Sequence, residues 1–167
     1  MITKNSIQYQ GTEFLASVLK LPPHNRRDHL LLVEAEDFAT PPIREVYRAL
    51  LTMPELDTAE GFEAADAALW QHLLATGALS GNMHIGIRAA YEDLQKVTPQ
   101  AWLCSVYARQ LRETRYRNAL RSFLNLADQN ADKLPVAELD EMTRNSGTRL
   151  QYLAQRVEGA EALKAVA

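Results

Sequence analysis

Cysteine is nearly missing from this chain: Cys104 stands alone among 167 residues. A single thiol can form neither an intramolecular disulfide nor a multi-cysteine zinc site, a pattern that fits a reducing compartment. Glycine and proline number only seven each, so they can punctuate helices without breaking them up. No apolar run approaches the roughly 18 residues that a membrane span needs. The segment from Met1 to Gln8 lacks the apolar core of a secretion signal. Charge of one sign is not in excess either. The net charge of −3 and a pI near 5.8 argue against tight nonspecific binding of nucleic acid by the whole surface, which needs clustered cations.

Chemistry-bearing patterns are equally sparse. Gly81-Asn82-Met83-His84-Ile85-Gly86-Ile87-Arg88 spaces two glycines like a phosphate loop, but it lacks the Lys-Ser/Thr pair that would contact phosphate and magnesium. His24, His29, His72 and His84 show no metal-ligand spacing. Cys104 has no basic neighbour in sequence and reads as a small core hydrophobe. The carboxylate runs Glu34, Glu36, Asp37 and Glu138, Asp140, Glu141 fall near helix ends, where negative charge is favourable or simply hydrated. The sequence therefore nominates no catalytic, metal or cofactor-binding residue.

What is present is helix. With 47% hydrophobic and 23% charged residues, the chain fits one all-α globular domain with a core of ordinary size. Phe14, Leu15, Val18 and Leu19 repeat at helical spacing after Gly11-Thr12, up to the stop at Pro22-Pro23. Asp28 to Val33 reads as a short helix. Thr40 is placed to cap a helix whose first turn holds Pro41 and Pro42 and whose apolar face is Ile43, Val46, Tyr47, Leu50 and Leu51. After a loop from Met53 to Phe62, a helix bearing Leu69, Trp70, Leu73 and Leu74 ends at Gly77, a residue suited to a left-handed cap. A loop over Leu79 to His84 leads to a shorter helix with Ile87, Tyr91 and Leu94. The longest element is expected to start at Thr98-Pro99 and run to about Asp128. A turn up to Pro135 and a last helix carrying Leu139, Met142, Leu150, Leu153 and Val157 complete an antiparallel hairpin. The expected division is a tail over 1–10, a globular head over 11–97, the hairpin over 98–157, and a tail or linker start over 158–167.

The long helix changes face. At about 100° per residue, Leu103, Val106, Tyr107 and Leu111 share one side, whereas Tyr116, Leu120, Phe123, Leu124 and Ala127 cluster roughly a quarter turn away. The first half is thus expected to pack on the preceding helices, and the second on the final helix or on another chain. Tyr116, Leu120, Phe123 and Leu124, facing Leu150, Leu153 and Val157, are the candidate protein-interface residues. Arg109, Arg112, Arg115, Arg117 and Arg121 spread around the circumference, which suits a solvated surface better than groove reading of DNA.

In order and spacing, Glu36-Asp37-Phe38, Pro41, Arg44 and Tyr47, then Leu79 and Gly81, Thr98-Pro99, and Tyr107-Ala108-Arg109 with Arg112-Glu113 resemble the N-terminal domain of DnaB-type bacterial replicative helicases. The likeness covers about residues 11 to 157. It departs at Gln10 to Leu19, where only the family's apolar spacing is kept. The resemblance implies a non-catalytic collar domain in DNA replication. Such domains pair through their hairpins, assemble further on the ring-shaped motor and dock primase, so DNA is met only indirectly and in the cytoplasm, through the replisome. No motor sequence lies within these residues, so the chain alone is expected neither to hydrolyse ATP nor to unwind DNA. A stand-alone regulator or loader docking on a host helicase is the alternative reading. A small helical DNA-binding protein is the third, opposed by the acidic pI.

Overall fold

The computed structural model describes the backbone of residues 4–162 and the side chains of residues 9–159. Residues 1–3 and 163–167, the outer ends of the two expected tails, lie outside the described residues. Among those described the fold is all-α, with no strand. Its helices are α1 (Lys4–Lys20), α2 (Pro23–Leu30), α3 (Pro41–Thr52), α4 (Gly61–Ala75), α5 (His84–Lys96), α6 (Cys104–Asn130) and α7 (Val136–Ala162). Single 3₁₀ turns occupy Ala35–Asp37, Pro54–Asp57 and Ala101–Leu103. The chain divides into two compact units, Met1–Leu111 and Arg112–Ala167.

The first unit is built around α1, which packs on α2, α3, α4, α5 and the turn at Ala101–Leu103. From Gly11 to Leu19 every residue except Glu13 is buried, the pattern of a helix enclosed on all sides rather than one with a single apolar stripe. Gly11 does not start this helix, as its glycine suggests, but sits inside it. A Cβ there would come within 2.9 Å of Phe38 Cδ1, so the missing side chain lets α1 approach the segment before α3. Gly86 plays the same part between α5 and α3, where a Cβ would lie 2.8 Å from Pro42 Cγ.

Proline and glycine mark the ends much as their stereochemistry requires. Pro23 opens α2 and Pro41-Pro42 open α3, at positions whose amides have no intrahelical partner. Thr40 precedes α3 in extended conformation but makes no side-chain cap bond, contrary to expectation; its carbonyl accepts the Arg44 amide instead. Gly77, at φ +75°, follows α4 in the left-handed region. The long helix begins at Cys104 rather than Thr98, because Ala101–Leu103 takes the tighter 3₁₀ form first. Its opening turns put Cys104, Ala108 and Leu111 into the head's core, while Val106, expected on that face, is 38% exposed. The division between units accordingly falls inside α6.

A polar clamp joins α4 to α5. Asp66 Oδ2 accepts hydrogen bonds from the Tyr91 hydroxyl at 2.9 Å and from Gln95 Nε2 at 3.1 Å, and the Tyr91 ring lies 4.8 Å from that of Trp70. Burial, reinforced by the Asp66 carboxylate, pushes the Tyr91 phenol well above its ordinary value. The folded phenol therefore stays neutral where the unfolded one ionises. Its contribution is full below about pH 10 and is lost as pH rises toward the folded value. Tyr91→Phe is expected to lower stability at neutral pH by about 1 kcal/mol and to flatten its decline above about pH 10; urea titrations at neutral pH and from about pH 10 upward read both effects.

Candidate interaction surface

Several of the residues that suggest a family turn out to be structural fastenings. Asp37 caps its own 3₁₀ turn, receiving the Glu34 amide at 2.8 Å. Phe38 is buried between Phe14 and Tyr47, with ring centroids at 6.2 and 5.0 Å. Arg44 Nε donates to the Phe38 carbonyl at 2.9 Å, and the Tyr47 hydroxyl donates to Val33 O at 2.7 Å. Together they lock the approach to α3 against α1 and the end of α2. In the second stretch Ala108 and Leu111 are buried, and Tyr107 packs against the head's core.

A groove is found instead along α6 and α7 of the second unit. Ala119, Ser122, Phe123 and Leu126 from α6 line a groove of ≈ 120 Å³ with Ser146, Arg149 and Leu150 from α7. Of the interface candidates, Phe123 and Leu150 are brought together here. Tyr116, Leu120 and Val157 are half-buried, and Leu153 is buried at 2% exposure. Leu124 stands apart at 55% exposure and does not line the groove.

Helical periodicity explains that separation. Leu124 is one residue on from Phe123, so it points about 100° away, onto the flank opposite the groove. Leu126, 44% exposed, belongs to the groove side. The seam between α6 and α7 thus has two unlike flanks. One carries the groove with Arg149 at its lip. The other carries Leu124 with the exposed Arg117, Arg121, Asp128 and Asp140, of which Arg117 pairs with Glu113 and Asp140 with Arg144.

No family model, curated protein or solved structure matches this chain.

Function therefore has to be argued from the surface itself. The arginines of α6 do not form one basic face: Arg112 is buried, Arg117 pairs with Glu113 at 3.6 Å, and Arg121 donates to Asn118 at 3.2 Å. Cys104 is enclosed in the core, and burial pushes its thiol up to about 12, which keeps it protonated and unreactive at neutral pH. His29 is bonded to the Asn25 carbonyl, His84 to that of Gly81, and His72 to the Thr52 hydroxyl. Among the described residues no group of three or more His, Cys, Asp or Glu is placed to hold a metal ion, and no helix is long and apolar enough to cross a membrane.

Sequence reasoning missed Arg26. It is fully buried, and its guanidinium donates to four backbone carbonyls: Leu21 O at 3.0 Å, Leu56 O at 3.1 Å, Ala59 O at 2.7 Å and Gly61 O at 3.1 Å. These tie α2 to the end of α1 and to the segment leading into α4. Burial lowers its proton affinity, while Glu60 and Asp57 nearby offset that. Its place in the polar run His24-Asn25-Arg26-Arg27-Asp28 gives no periodic signal of burial.

Proposed function

We propose that this chain is a non-catalytic collar domain of the DnaB-like replicative helicase type, working in DNA replication through self-association and the docking of primase or another replisome partner. The observation that carries the reading is the Leu124 flank of α6 and α7. An apolar residue 55% exposed sits between Arg121 and, nearer the turn, Asp128, flanked by the ion pairs Arg117–Glu113 and Arg144–Asp140. Two such flanks laid antiparallel bring Arg121 of one copy to Asp128 of the other, whereas parallel pairing sets like charge on like. Arg121 and Asp128 lie seven residues and so about 10 Å apart along α6, beyond the Debye length of about 8 Å at physiological salt. Contacts across the pair thus outweigh those within one copy in choosing the orientation.

The test is molar mass by light scattering over a concentration series, alone and with the C-terminal domain of the cognate primase. Self-association and a heavier mixed complex are expected. Leu124→Asp is expected to weaken the dimer by about tenfold to a hundredfold, because a twofold pair loses the residue twice and its burial is worth about 1.5–3 kcal/mol when complete. A chain that stays monomeric at tens of micromolar and ignores primase would overturn the proposal.

A further inference from the structure

The opposite flank fits a different partner. Its groove has an apolar floor of Ala119, Phe123, Leu126 and Leu150, with the hydroxyl-bearing Ser122 and Ser146 on its walls. Arg149 stands exposed at the lip and forms no ion pair among the described residues. At helical spacing Arg115 and Arg156 fall on the same flank, where they already engage neighbours. Within the two helices the nearest acid on this side is Glu138, eight residues before Ser146 and so about 12 Å along the axis. The flank is therefore an apolar slot bordered by one arginine without an ion pair and by no close acid of the two helices.

We infer that this groove is a docking site for an acidic amphipathic segment of a partner protein, which seats an apolar side chain against Phe123, Leu126 and Leu150 and sets a carboxylate on Arg149. This rests on the reading of the α6–α7 pair as a docking surface and names the partner chemistry its second flank takes. Charge complementarity chooses the occupant. A second copy presenting the same flank would oppose arginine to arginine, so self-association belongs to the mixed-charge Leu124 side. Nucleic acid fits poorly: its binding draws on many phosphate–cation contacts, and here one unpaired arginine borders a floor that no phosphate would fill. An amphipathic helix laid in a groove uses both the floor and the rim, with apolar anchors at i and i+3 or i+4 and its charges outside.

The experiment is amide chemical-shift mapping on the full chain. The probe is a synthetic amphipathic peptide with leucines on one face and glutamates on the other. Its lysine counterpart and a single-stranded oligonucleotide serve as controls. The acidic peptide is expected to shift the amides of Ser122, Leu126, Ser146 and Arg149, less so as salt rises, and Arg149→Glu is expected to weaken it about tenfold or more. No shift at these positions, or equal shifts from the lysine peptide or the oligonucleotide, would overturn the inference. Arg149→Glu should leave the molar mass of the chain unchanged, and Leu124→Asp should leave peptide binding unchanged. Failure of the groove and failure of self-association are thus read separately.

Discussion

Replacing Arg26 with methionine is expected to destabilise the head by about 3–5 kcal/mol, a large share of the 5–15 kcal/mol that typically holds a domain together. Methionine keeps most of the apolar volume of the stem but none of the donors. Four carbonyls, on Leu21, Leu56, Ala59 and Gly61, lose a charged partner at once. Hydrogen bonds to a charged group are worth about 1.5–3 kcal/mol each, and they do not add fully, because the freed segment can relax toward water. Lysine should rescue little: a single ammonium cannot span acceptors arranged around a planar fork. The check is the midpoint of urea unfolding for Arg26→Met and Arg26→Lys. A loss below about 1 kcal/mol would mean that the carbonyls find water without cost. The neighbouring Arg27, paired with Asp57 at 2.7 Å where both are about two-fifths exposed, is the internal control. Arg27 also donates to the Leu51 carbonyl at 3.1 Å, so its alanine variant should cost about 1–2 kcal/mol, still well short of Arg26→Met.

That contrast between adjacent arginines shows where the sequence stops being informative. The end of α1, the start of α3 and the end of α4 were legible because proline and glycine act locally: Pro22-Pro23, Pro41 and Gly77 need no distant partner to exert their effect, whereas the short helix expected over Asp28 to Val33 lies instead at Pro23–Leu30. The apolar faces of α3 and α5 were legible for the same reason, since Ile43, Val46, Tyr47 and Leu50, like Ile87, Tyr91 and Leu94, repeat at the helical period and are buried. Arg26 was not, because backbone carbonyls carry no residue signature and its partners lie up to 35 positions away. Gly11 misled in the opposite direction. Its usual meaning is a break, whereas here it is a close approach to Phe38 that only the third dimension reveals. On α6 the period placed Phe123 and Leu124 in one cluster, yet a step of about 100° sends them to different flanks of the hairpin. A candidate interface read from spacing therefore mixed the groove, the seam and the self-complementary side.

Leu153 offers the cleanest way to separate the seam from the head. It is buried at 2% exposure, lies in the second unit and does not belong to the head's core cluster. Leu153→Ala should therefore cost about 2–5 kcal/mol, as the loss of transfer energy is joined by a cavity. The loss should be local. Hydrogen exchange measured amide by amide is expected to speed up through α7 and through α6 beyond Arg112, while the amides of α1, α4 and α5 keep their protection. Within α6 itself the change should set in after Leu111, because Cys104, Ala108 and Leu111 are held by the head whatever happens to the seam. Uniform loss of protection across both units would show instead that they unfold as one cooperative body. The local outcome would give the second unit a stability of its own. Partner binding would then have a quantity to act on, since a ligand that binds only the formed hairpin raises its stability by RT ln(1 + [L]/Kd). Slower exchange in α7 on adding the acidic peptide would then measure occupancy of the groove, with the head as an unchanged reference.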